Sequence, residues 1–62
     1  MTKSETREIV KLATWHKIGA DRGMIARGLS ALIRAARTTR SREALSEYAP
    51  IFGVIGHPDF II

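Results

Sequence analysis

RGMIARGLSALIRAARTTRSR, residues 22–42, holds six arginines (Arg22, Arg27, Arg34, Arg37, Arg40 and Arg42) and no acidic residue. Between the arginines the apolar positions recur at helical spacing. Ile25, Leu29, Leu32, Ile33 and Ala36 form one stripe, and Met24, Gly28, Ala31 and Ala35 form a second beside it. An apolar arc that covers about half a helix circumference needs more than one neighbour to bury it. The reading is therefore a central helix over about 22–38, with a first helix on one side and the C-terminal segment or a second subunit on the other, and the fold class is all-α. Asp21 is placed to cap its start, with a carboxylate favourable at the positive end of the helix dipole. Gly28 costs about 1 kcal/mol relative to alanine inside a helix, a cost that close approach of another backbone would offset.

Working outward toward the N-terminus, Thr2-Lys3-Ser4-Glu5 has the form of a capping box, with Ser4 as an alternative cap. From there Ile9, Leu12, Ala13 and His16 share a face, predicting a first helix over about 4–18 closed by Gly19. His16 on that face reads as a core histidine rather than a ligand or base. Trp15 leans off the face toward Lys11 and Ile18, a setting for partial burial with a cation–π neighbour.

Toward the C-terminus, Thr38-Thr39-Arg40-Ser41 breaks the apolar rhythm and offers capping hydroxyls, so a short third helix is expected over about 42–49. Ala44, Leu45 and Tyr48 form its inner face, and Pro50 marks its end. The remaining tail, residues 50–62, has Asp59 as its only formal side-chain charge. Seven large apolar side chains (Ile51, Phe52, Val54, Ile55, Phe60, Ile61 and Ile62) must dock on the chain itself or on a second subunit.

Length and composition narrow the function classes. Sixty-two residues allow one small domain, 1–62, which buries only about 60% of the surface of its unfolded chain. With no cysteine there is neither a disulfide nor a thiolate metal site to brace it, and homo-oligomerisation is the expected remedy. The polar N-terminus lacks the apolar core of a signal peptide and no run approaches a membrane span, so the chain reads as cytoplasmic.

No enzyme is expected, because catalysis needs converging polar groups in a cleft that three short helices scarcely enclose. No cofactor is expected either, since the glycines lack the spacing of a phosphate-cradling loop. Gly53-Val-Ile-Gly56 matches an RNA-clamping GXXG loop only in spelling, its middle being apolar. His57-Pro58-Asp59 reads as turn chemistry rather than metal ligation.

What remains is charge. Residues 1–21 sum to +1 and residues 43–62 to −3, so the net +4 resides in the middle third. Arg27, Ser30, Arg34, Arg37 and Ser41 fall on one helical side and form a polar stripe of about 20 Å. Guanidinium forks suit phosphate oxygens, and neighbouring hydroxyls add neutral hydrogen bonds. The expected binding set for nucleic-acid phosphates is therefore Arg27, Arg34, Arg37, Arg40 and Arg42. The competing readings are a solvated face or arginines paired with Glu5, Glu43 or Glu47, and contact with an acidic protein or a membrane surface. A helix-turn-helix is disfavoured, since the arginines begin one turn inside the second helix and Trp15 crowds the turn. The alternative function is a protein-interaction or assembly module acting through the tail.

Overall fold

The computed structural model describes all 62 residues and is wholly helical and irregular, with no strand. Four helices follow in order: α1 (Lys3–Lys17), α2 (Arg22–Ala35), α3 (Thr39–Ser46) and α4 (Tyr48–Phe52). The last two are one short helical arm bent at Glu47. The fold is an all-α bundle of two main helices and this bent third segment, with residues 53–62 running back across it.

α1 begins where the capping box places it. Glu5 N–H donates to Thr2 Oγ1 at 3.1 Å, and Thr2 N–H donates to Glu5 Oε1 at 2.8 Å, so two otherwise orphaned donors are satisfied. Its end is a Schellman motif: Gly19 N–H donates to the His16 carbonyl and Ala20 N–H to that of Trp15. Gly19 sits at φ 77°, a left-handed conformation that glycine adopts without steric cost. The tight turn then returns the chain antiparallel as α2, with Asp21 in the N-cap position but making no side-chain cap bond.

Two sequence expectations for α1 and α2 are corrected by what packs on them. Ile9 and Leu12 are buried as expected, but Ala13 and His16 are exposed and the inner face continues through half-buried Trp15. His16 is a rim residue whose ring meets Phe52 at 5.6 Å. In α2 the buried set is Gly23, Ile25, Ala26, Leu29, Ser30 and Ile33. The small-residue stripe is not a packed face, for Met24, Ala31 and Ala35 are exposed. The burial has turned instead toward Ala26 and Ser30, because the arm and the tail cover that side. Gly28 does admit a close neighbour, but it is the Leu12 side chain rather than a backbone. A Cβ at Gly28 would lie 2.8 Å from Leu12 Cδ2.

α2 ends at Ala35 instead of about residue 38. Ala36 is extended (ψ 132°) and its carbonyl accepts from Arg42 Nη2 at 3.2 Å. Thr38 Oγ1 then accepts from Ser41 N–H at 3.1 Å and caps α3, so the hydroxyls start the next helix earlier than expected. Pro50 does not end a helix; it lies within the first turn of α4. There a backbone N–H has no intrahelical acceptor, so its absence costs nothing. The arm ends at Gly53, left-handed at φ 68°, and Val54 N–H returns to the Ala49 carbonyl at 3.0 Å.

The core joins Ile9 and Leu12 of α1, Ile25, Ala26, Leu29 and Ile33 of α2, Ala36, Leu45 of α3, Ala49 and Phe52 of α4, and Val54. Trp15, Leu32, Tyr48 and Phe60 pack around its edge. Phe52 stacks on Tyr48 with ring centroids 5.6 Å apart. No helix is long and apolar enough to cross a membrane.

Candidate polyanion-binding face

The premature end of α2 divides the arginines among three settings. Arg27 and Arg34 lie on α2, about 10 Å apart along its axis; Arg37 is in the link to α3; Arg40 and Arg42 are on α3. The continuous 20 Å helical stripe is therefore not formed. Its two serines are also withdrawn from solvent. Ser30 is buried, its Oγ donating to the Ala26 carbonyl at 2.6 Å and accepting from Ile61 N–H at 3.0 Å. Ser41 is buried too and donates to Glu5 Oε1 at 3.1 Å.

Each arginine of the expected binding set can be placed. Arg27 Nη1 bonds Asp59 Oδ2 at 3.0 Å, an ion pair between residues 32 apart in sequence. Arg42 spends one amino group on the Ala36 carbonyl. Arg34, Arg37 and Arg40 are exposed, and none has a carboxylate within 4.0 Å. Glu43 and Glu47 pair with no arginine, and Glu5 is bound to Thr2 and Ser41. The Thr2 N–H holds the Glu5 carboxyl below its ordinary range against an opposing desolvation, and the Ser41 hydroxyl adds to the lowering. Arg22, outside the expected set, rests its guanidinium against the turn at Gly53, about 4.0 Å from where a Cβ would stand.

Helix electrostatics make Arg40 the more informative of the three free arginines. Arg34 lies in the last turn of α2, where a cation complements the negative end of the dipole. Arg40 lies in the first turn of α3, at the positive end, and no acid accompanies it there. A cation at a helix N-terminus is unfavourable by a few tenths of a kcal/mol or more. No intramolecular carboxylate offsets that cost at Arg40. Arg37 borders a groove of about 380 Å³ between the start of α1 and the α2–α3 link, with Thr2, Ser4 and Thr38.

The seven apolar tail residues separate into two groups. Phe52 and Val54 are buried inside the chain and Phe60 is half-buried against the core. Ile51, Ile55, Ile61 and Ile62 are 61–66% exposed. Trp15 takes the cation–π role expected of it, with Lys11 Nζ 5.0 Å from its ring centroid. His57-Pro58-Asp59 forms a turn in which His57 Nδ1 accepts from Asp59 N–H at 3.0 Å.

The sequence did not signal that Asp59 reaches Arg27 and closes over Ser30. The one hint is that Asp59 is the lone charge in an apolar tail. Comparison with protein-family models, curated proteins and solved structures yields no match to this chain. The reading of the site therefore rests on its own residues.

Proposed function

We propose that this chain is a small non-enzymatic basic protein that binds nucleic-acid phosphates through Arg34, Arg37 and Arg40. The observation that carries the reading is that these three guanidinium groups are exposed and without carboxylate partners, in a stretch of 21 residues that contains no acid. Arginines at the end of one helix, in a link and at the start of the next suit contacts to backbone phosphates rather than reading of base edges. Arg42 supports this face by fixing the α2–α3 link, and Arg27 is held in reserve by Asp59.

Fluorescence anisotropy with a generic duplex and a generic single strand, titrated across salt, tests the proposal. Three phosphate contacts on a duplex predict a log–log slope of about −2.7, a loss of about fortyfold in affinity between about 50 and 200 mM salt. Replacing Arg34 and Arg37 by alanine lowers that slope by roughly two units and weakens all sequences alike. Absence of binding by the parent at low salt removes the proposal.

A second reading is favoured by the exposed Ile51, Ile55, Ile61 and Ile62: a homo-oligomeric or protein-interaction module using these side chains, with an acidic partner drawn to the arginines. Sedimentation at micromolar concentration tests the oligomeric part of it. Apolar assembly persists at high salt, where phosphate binding is lost.

A further inference from the structure

Residues 57–62 place one large side chain, Phe60, on the edge of the core and none inside it. Ile61 and Ile62 are exposed and Phe60 is half-buried, whereas Phe52 and Val54 just before them are sealed inside. The tail's polar groups, by contrast, land on the arginine helix. Asp59 Oδ2 meets Arg27 Nη1 at 3.0 Å, and two residues later Ile61 N–H meets Ser30 Oγ at 3.0 Å. These are the two positions that precede Arg34 on the same side of α2. A carboxylate on a guanidinium uses the same charge-assisted bond as a phosphate oxygen would.

The helix also makes room for this carboxylate. Gly23, one turn before Arg27, is buried, and a Cβ built on it would lie 2.7 Å from Asp59 Oδ2 and 3.2 Å from Asp21 Oδ2. A Cβ there would force the Asp59 carboxylate to shift from its place against α2. A segment fastened by one exposed ion pair, one partly buried hydrogen bond and a single half-buried aromatic ring belongs to the low-stability end of a fold and can open with little disturbance of the sealed core.

We infer that residues 57–62 form an autoinhibitory strap in which Asp59 stands in for a nucleic-acid phosphate on Arg27. With the strap seated, Arg27 and Ser30 are withheld and the face is limited to Arg34, Arg37 and Arg40. With the strap released, Arg27 and Ser30 join Arg34 and the face extends toward the start of α2. This inference rests on the phosphate-binding reading of Arg34, Arg37 and Arg40.

The test uses the full chain, its Asp59→Asn and Gly23→Ala variants, and each of the three with Arg27→Ala, bound to a short generic DNA duplex across salt. Circular dichroism confirms that every variant is folded. Arg27→Ala is expected to be nearly silent in the parent but to weaken binding in the Asp59→Asn and Gly23→Ala backgrounds. One added phosphate contact steepens the salt slope by about 0.9, so the advantage of Asp59→Asn over the parent shrinks about threefold between about 50 and 200 mM salt. Gly23→Ala preserves net charge, so a gain there that depends on Arg27 cannot come from removing a negative charge.

If the parent binds and Arg27→Ala weakens it as much as it weakens the two released variants, Arg27 was never withheld and the strap inference fails while the phosphate reading stands. If Asp59→Asn binds better but its gain survives Arg27→Ala, the effect is net charge and the inference fails likewise. If no variant binds at low salt, both fall.

Discussion

Gly28→Ala is a small change with a calculable sign. In an open helix interior the added methyl would stabilise α2 by about 0.8–1.0 kcal/mol, through lower entropy in the unfolded chain. Here the new Cβ would stand 2.8 Å from Leu12 Cδ2, 3.7 Å from Cδ1 and 3.8 Å from Cγ. Carbon atoms at rest are about 3.5–4.0 Å apart, so one methyl of Leu12 must retreat by most of an ångström. Leu12 is only 3% exposed and packs in the core, which leaves it little room to do so. Overpacking of this kind costs about 1–3 kcal/mol, and the balance is a net loss of about 1 kcal/mol.

The sign should reverse when Leu12 is cut back. In a Leu12→Ala background, kept folded by an excluded osmolyte, Gly28→Ala should recover its helix benefit and stabilise by about 1 kcal/mol. The coupling between the two sites is then about 2 kcal/mol, well above the error of additivity for independent sites. Urea unfolding followed by far-UV circular dichroism measures all four corners of the cycle. A Gly28→Ala chain that is more stable than the parent in the presence of Leu12 would show that the α1–α2 contact is loose, and would refute this account of why a glycine stands there.

The other expectations concern the core, the arm and the capping box. Leu29→Ala, at a fully buried position, should cost about 2–5 kcal/mol in thermal or urea unfolding, comparable with the whole stability of a domain this small; a loss below about 1 kcal/mol would move the core elsewhere. Truncation before Gly53 should leave an unfolded chain because it removes Val54, which is fully buried, whereas truncation before His57 should leave a folded one; proteolysis and circular dichroism separate the two. Gly53→Ala should lose about 1 kcal/mol, since φ 68° suits alanine poorly, and an unchanged melting temperature would show that the turn rearranges freely. Glu5, whose carboxyl is held below its ordinary value of 4.5, contributes stability that is present above that value and fades as the pH falls through the lowered one. Glu5→Gln should therefore show a smaller loss of stability on acidification below 4.5 than the parent, and equal acid sensitivity would remove Glu5 from the account.

How much of this was legible follows from how local each feature is. The capping box at Thr2 and Glu5 and the left-handed Gly19 are built from neighbouring residues, and the sequence displays them directly. The main stripe Ile25, Leu29 and Ile33 is nearly as legible, because helical period alone assigns it. Legibility stops where a distant partner decides. Nothing between Arg34 and Thr38 says that the helix ends at Ala35; the Ala36 carbonyl is held by Arg42, and Thr38 is claimed as a cap by the next helix. The rule for the residue before proline makes Pro50 a helix terminator, yet in a first turn its missing N–H is harmless. Helical period places Ser30 on the solvent side, but a segment 31 residues away lies over it. The arginines themselves were plain in the sequence. Which of them are free was not, since Arg27 is distinguished from Arg34 only by Asp59.

The placement of Phe52 and Val54 in the core has a consequence for how the chain comes off the ribosome. Synthesis proceeds from the N-terminus, so α1 and α2 are complete well before the residues that seal them. Until α3 and α4 follow with Leu45, Ala49 and Phe52, Leu29 and Ile33 have α1 alone to cover them, and the helical hairpin is an open half-core. Folding of this unit therefore waits for the arm and Val54, and the interval in which that apolar seam is uncovered is a window for chaperone capture or for pairing with another nascent copy.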